Sequence, residues 1–137
     1  MKTKSLVFLL LFSFCAQDTN IIIDDTNIII EDAVGSIEAI TSSGDIDADL
    51  SYDSSVNDYS VYMETHLGNI KTIVPKNYPA NMENIVYQTT SIKSISSDII
   101  LNIDVEHEKV IGKRSIEGGI IPFSLKAHHG TITIKDK

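Results

Sequence analysis

The stretch Thr65–Pro75, THLGNIKTIVP, decides how the rest of the chain is read. Gly68 supplies a tight corner, and Ile70, Thr72 and Val74 then alternate with Lys71 and Ile73. Successive side chains on a strand point to opposite faces. The pattern is therefore a turn followed by a short strand with one buried face. Pro75 punctuates its end.

The same G-x-I unit recurs at Gly35–Glu38, Gly44–Asp47 and Gly130–Thr133. Alternation recurs with it. Ile46, Ala48 and Leu50 alternate with aspartates, and Tyr59, Val61 and Met63 with Ser60 and Tyr62. Leu101, Ile103 and Val105 follow the same rule, as do Ile132 and Ile134. The chain holds 23 Ile against 8 Leu, and Leu6, Leu9, Leu10 and Leu11 all fall at its start. β-branched side chains suit a pleated surface, whereas Leu is the usual helix-core residue. No window carries apolar residues at sustained helical spacing. The expectation is an all-β protein with a single domain over residues 17–137.

Ile46, Ile70, Ile92 and Ile116 stand 24, 22 and 24 residues apart. A period in the low twenties suits a β-solenoid whose coils each give two or three strands. One coil cannot bury its own Ile row, but stacked coils bury a continuous one. Gly35, Gly44, Gly68 and Gly130 are then the structural turn glycines. A β-sandwich is the alternative, since its strands also recur at about 8–12 residues.

Met63–Ile95 resembles a repeated unit of a bacterial adhesin-like family of secreted right-handed β-solenoids, which includes head domains of autotransporter adhesins. Thr65, Gly68, Ile70, Thr72, Val74 and Pro75 match its strand-and-corner pattern. Thr89, Thr90, Ser91 and Ile92 match the following corner, with Ser91 in the glycine position. Ser124–Lys137 is similar to the family's closing coil, and Thr41–Ile46 to another corner. These matches touch about half of the chain. The resemblance implies a short right-handed β-solenoid at the cell surface or in the periplasm, and it brings no catalytic residues.

Residues 1–16 have the form of a secretory signal. Lys2 and Lys4 precede an apolar run of nine residues, Leu6–Phe14, which is too short to span a bilayer. Ala16 before Gln17 is one cleavage position. Cys15, the single cysteine, is the residue that lipidation would use. The expected location is therefore exported: periplasm, outer membrane or cell surface, or secreted. Contact with a membrane is expected only through such a lipid anchor.

Removing Lys2 and Lys4 with the leader takes the formal charge from −8 to −10. That opposes nucleic acid, whose affinity comes from Lys and Arg on phosphates. Asp45, Asp47 and Asp49 stand on one strand face and are the calcium candidates. However, alternation spaces them about 7 Å apart in a row, and calcium needs six to eight converging oxygens. His128 and His129 are adjacent, so a strand turns them to opposite faces. His66 and His107 read as isolated exposed residues. Tyr52, Tyr59, Tyr62, Tyr78 and Tyr87 supply the aromatic surface that can stack on sugar rings. The chain has no G-x-S-x-G, H-E-x-x-H or P-loop, and neither an enzyme nor a cofactor is expected.

Ile21–Ile23 and Ile28–Ile30 lie in near-identical heptads, DTNIIID and DTNIIIE, and mark an edge for self-association. The expected function is a non-enzymatic surface protein binding a glycan or protein partner. The alternatives are a periplasmic structural or stress accessory without external ligand, and a small carbohydrate-active protein.

Overall fold

The computed structural model describes residues 19–23, 26–55 and 59–137. The expected signal segment, residues 1–16 with Cys15, lies outside the described residues. The strands are β1 (Thr19–Ile23), β2 (Ile28–Ala33), β3 (Ile37–Ser43), β4 (Ile46–Leu50), β5 (Val61–Leu67) and β6 (Ile70–Val74). They continue as β7 (Ala80–Tyr87), β8 (Ile95–Ser97), β9 (Asn102–Glu106), β10 (Lys109–Ser115), β11 (Ile121–His129) and β12 (Ile132–Asp136). A 3-10 turn spans Ile92–Ser94. The chain is all-β, as the Ile-rich alternation implies.

The strands form two open sheets. The seven-stranded sheet runs β1-β3-β5-β11-β7-β10-β9, and the five-stranded sheet runs β2-β4-β6-β12-β8. Pairing is parallel except at β7–β10 and β10–β9. Inward residues of both sheets share one apolar cluster, in which Met63, Leu125 and Ile132 are wholly buried.

Register explains the composition. Ile37 pairs with Val61 in one sheet and Ile46 with Ile70 in the other, both 24 residues apart. Parallel strands in register stack equivalent residues. Ile28, Ile46, Ile70, Ile132 and Ile95 therefore form one buried row across the five-stranded sheet. Each such burial contributes about 1.5–3 kcal/mol.

The expected row through Ile92 and Ile116 is corrected here. Ile92 lies in the 3-10 turn and is 62% exposed, while Ile116 lies between β10 and β11. After β7 the chain lays the antiparallel β9–β10 hairpin on the sheet edge. It then returns, and β11 and β12 insert between older strands. Spacing along the chain ceases to equal spacing in space. Ile132 and Ile95 take the two places expected of Ile92 and Ile116.

Three of the four turn glycines form a column. A Cβ on Gly44 would lie 2.1 Å from the Thr26 carbonyl oxygen, one on Gly68 2.0 Å from that of Gly44, and one on Gly130 1.8 Å from that of Gly68. Real side chains never approach so closely, so these corners require glycine for space. Backbone bonds cross the same column, from Gly44 N to Leu67 O (2.9 Å) and from Ile70 N to Thr131 O (2.9 Å). Gly35 differs. It turns between β2 and β3 at φ 107°, where glycine's freedom is what matters.

The triple-Ile segments become β1 and β2, the edge strands of their sheets. Ile28 and Ile30 are buried in the core, whereas Ile22 is 67% exposed.

Candidate functional site

The seven-stranded sheet has one face on the core and one outward. On β5, Val61, Met63 and Thr65 point inward, which turns Tyr62, Glu64 and His66 outward. On β11, Phe123, Leu125 and Ala127 are buried, which turns Lys126 and His128 to the same outer face. β5 and β11 pair in parallel with Ala127 opposite Thr65, so His128 stands beside His66. On the other side β7 brings up Tyr87.

Parallel strands lie about 4.8 Å apart, close to the spacing of stacked rings. The result is a column of three rings on three neighbouring strands. His66 and His128 stack with centroids 4.3 Å apart and planes at 5°. Tyr87 stacks on the other side of His128 at 4.7 Å and 13°. Beside the column, Lys126 Nζ lies 5.4 Å from the Tyr62 ring centroid, a cation–π contact.

Glu64 ties the cluster together. Its Oε1 accepts a hydrogen bond from the Tyr62 hydroxyl at 2.6 Å, and its Oε2 lies 2.6 Å from His128 Nε2. Partial burial pushes the Glu64 carboxyl up, but bonds from Tyr62 and His128 outweigh it and leave the group below its usual range. Burial, and then the bond to Glu64, hold the Tyr62 phenol well above its usual value. Tyr62 therefore stays a donor and Glu64 an acceptor. Glu64, His66 and His128 each offer one ligating atom, and these atoms all lie within 4.8 Å of one another.

Sequence reasoning did not assemble this cluster. It turned His128 away from His129, which agrees with the half-buried His128 and the exposed His129. It took His66 for an isolated residue, and the stack against His128 corrects that. One signal was present. His66 and His128 each stand two residues before a corner glycine, Gly68 and Gly130. Equivalent corners stack, so equivalent histidines meet.

Asp45, just before β4, and Asp47 and Asp49 on it are not brought to one point. Asp45 Oδ1 accepts from Asn69 N (2.8 Å), in a ladder in which Asn27 Oδ1 accepts from Asp45 N and Asn69 Oδ1 from Thr131 N. Asp47 is in register with Lys71, and Asp49 pairs with Lys137 at 2.9 Å. These carboxylates serve the corner and the sheet surface.

Three of the five tyrosines pack. Tyr78 is buried against Phe123, and Tyr52 lies 5.8 Å from Tyr78 and 5.7 Å from Tyr59. Tyr59 donates to the Asp53 carbonyl (3.1 Å) and accepts from Asp53 N (2.9 Å), which anchors that loop. A shallow cleft of about 370 Å³ lies elsewhere, between Lys76, Arg114, Asp98 and Asp136, and mixes both signs of charge. No protein-family model, no curated protein and no solved structure matches this chain.

Proposed function

We propose that this chain is an exported, non-enzymatic envelope or surface protein of adhesin-like type. In this reading it is a short right-handed β-solenoid, and the outer face of its seven-stranded sheet meets a glycan or protein partner. The in-register parallel pairing of β2, β4 and β6 and the glycine column favour coils over a sandwich, whose sheets are antiparallel.

The observation that carries the binding reading is the ring platform His66–His128–Tyr87 with Tyr62 beside it. The rings cover one another's faces, so the row, fixed by strand spacing, offers a sugar a preorganised line of ring edges, with little entropy lost on binding. Glu64 and Lys126 add charged and hydrogen-bonding edges to it.

Two measurements test this. Protease shaving of intact cells, read by mass spectrometry, releases peptides from Ile70–Lys93 if the protein is displayed outside. Cleavage only after lysis supports the periplasmic accessory instead. A glycan array probed with the purified chain and with Tyr87→Ala tests the platform. Contact with an aromatic ring is worth about 0.5–1.5 kcal/mol, so the variant loses about 2- to 12-fold in affinity. Equal binding by both proteins removes the platform.

A further inference from the structure

We propose that Glu64, His66 and His128 form a binding site for a divalent transition-metal ion of the zinc type. This goes beyond the surface-binding reading and does not depend on it. Three features support the site: donor chemistry, placement and support.

The donor set is two imidazole nitrogens and one carboxylate oxygen. Imidazole suits zinc, copper and nickel, whereas calcium and magnesium take oxygen ligands. Two histidines with one carboxylate is a donor set found in zinc sites that keep a position open.

The placement follows from the topology. Glu64 and His66 are two residues apart on β5 and so share its outer face, and β11 brings His128 into register beside them. Their ligating atoms already lie within 4.8 Å of one another. Ligands of a tetrahedral zinc ion at about 2.0–2.1 Å sit roughly 3.3 Å apart. Closing that gap requires the exposed His66 ring to turn out of its stack on His128, toward the edge that His128 and Glu64 already share. The bond between His128 Nε2 and Glu64 Oε2, at 2.6 Å, marks where an ion would be shared.

The support is in place. Met63, Thr65, Leu125 and Ala127 are wholly buried directly beneath the cluster, which fixes both strands. Tyr62 donates to the Glu64 oxygen that does not face His128, and so orients the carboxylate as outer partners of metal ligands do. Tyr87 stacks on His128 and limits its ring rotation. The Glu64 and His128 side chains are only 18% and 28% exposed, while His66 is open to solvent. The ion's remaining positions therefore face outward, toward water or a donor on a partner.

The test is calorimetric titration of the tag-free, chelator-treated chain with zinc, copper and calcium salts, together with NMR of the imidazole resonances. The expected result is one zinc ion per chain. His66 and His128 resonances shift, and those of His107 and His129 do not. His66→Gln, at an exposed position, weakens zinc binding by more than about tenfold, as does His128→Gln, while His129→Gln leaves it unchanged. Circular dichroism checks that each variant keeps its strands, and His66→Gln remains decisive if His128→Gln unfolds. Absence of zinc binding, equal binding by His66→Gln, or calcium bound as tightly as zinc would each overturn the site.

Discussion

The two halves of the chain solve the same packing problem differently. From β1 to β6 each new strand lies beside one already present in its sheet, at the next position outward. From β7 onward the chain overshoots, lays down the β9–β10 hairpin and then returns to the middle. The first half therefore grows by addition, and the second closes by insertion. The last strands, β11 and β12, are flanked on both sides and so lie in the middle of their sheets. The Glu64–His66–His128 cluster sits on this seam, with two members from the growing half and one from the inserted one.

The strongest way to break the comparison is to delete residues 121–137. Among the described residues, insertion makes these the only strand link between β5–β6 and β7–β8 within the two sheets. The deletion removes Ile121, Phe123, Leu125, Ile132 and Ile134 from the core. A single large core truncation costs about 2–5 kcal/mol, and a whole domain has about 5–15 kcal/mol of stability. The shortened chain is expected to lose cooperative thermal unfolding by circular dichroism. A sharp transition retained by residues 17–120 would mean that the first half stands alone and that the inserted strands only decorate it.

The two halves also differ in what sequence reveals. The glycine corners at Gly44 and Gly68 and the strands between them are legible, because in an additive stack the chain period is the spatial period. Ile46 and Ile70 therefore pair as their spacing implies. Ile92 and Ile116 mislead, because the hairpin consumes residues without adding a repeat. Nothing in a periodic pattern announces that the final corner, Gly130, will stack on Gly68. The metal-type cluster was hidden for the same reason. His66 and His128 are 62 residues apart, and only the insertion makes them neighbours. Glu64, equally, carried no mark to separate it from any other strand-face acid.

A second prediction compares glycines in the two settings. In Gly68→Ala the new methyl meets the Gly44 carbonyl oxygen, a backbone atom, at 2.0 Å in the stacked column. Neither can retreat without unseating a corner, and the cost is expected to be about 3 kcal/mol or more in urea unfolding. In Gly118→Ala, in the turn before β11, nothing lies within 4 Å of the new methyl, although φ is +88°. Only backbone strain remains, at about 1 kcal/mol. Equal losses at the two positions would mean that the column has room to relax.

The finest test uses two buried threonines on consecutive strands. Thr65, on β5, donates its hydroxyl to the Gly44 carbonyl at 2.7 Å, and Thr41 does the same to Thr26 at 2.9 Å. The row ends at Ala127, in register with Thr65, where the inserted strand has no hydroxyl to give. Thr72, on β6, is buried just as deeply, but its Oγ1 has no partner among the described residues. Valine matches threonine in shape and lacks the hydroxyl. Thr65→Val therefore loses a buried hydrogen bond and should cost about 1–2 kcal/mol. Thr72→Val removes an unsatisfied polar atom and should be neutral or stabilising by up to about 1 kcal/mol. Opposite signs in chemical denaturation would establish that the hydroxyl row holds the additive corners together. Equal small effects would leave that task to the glycine column and its backbone bonds.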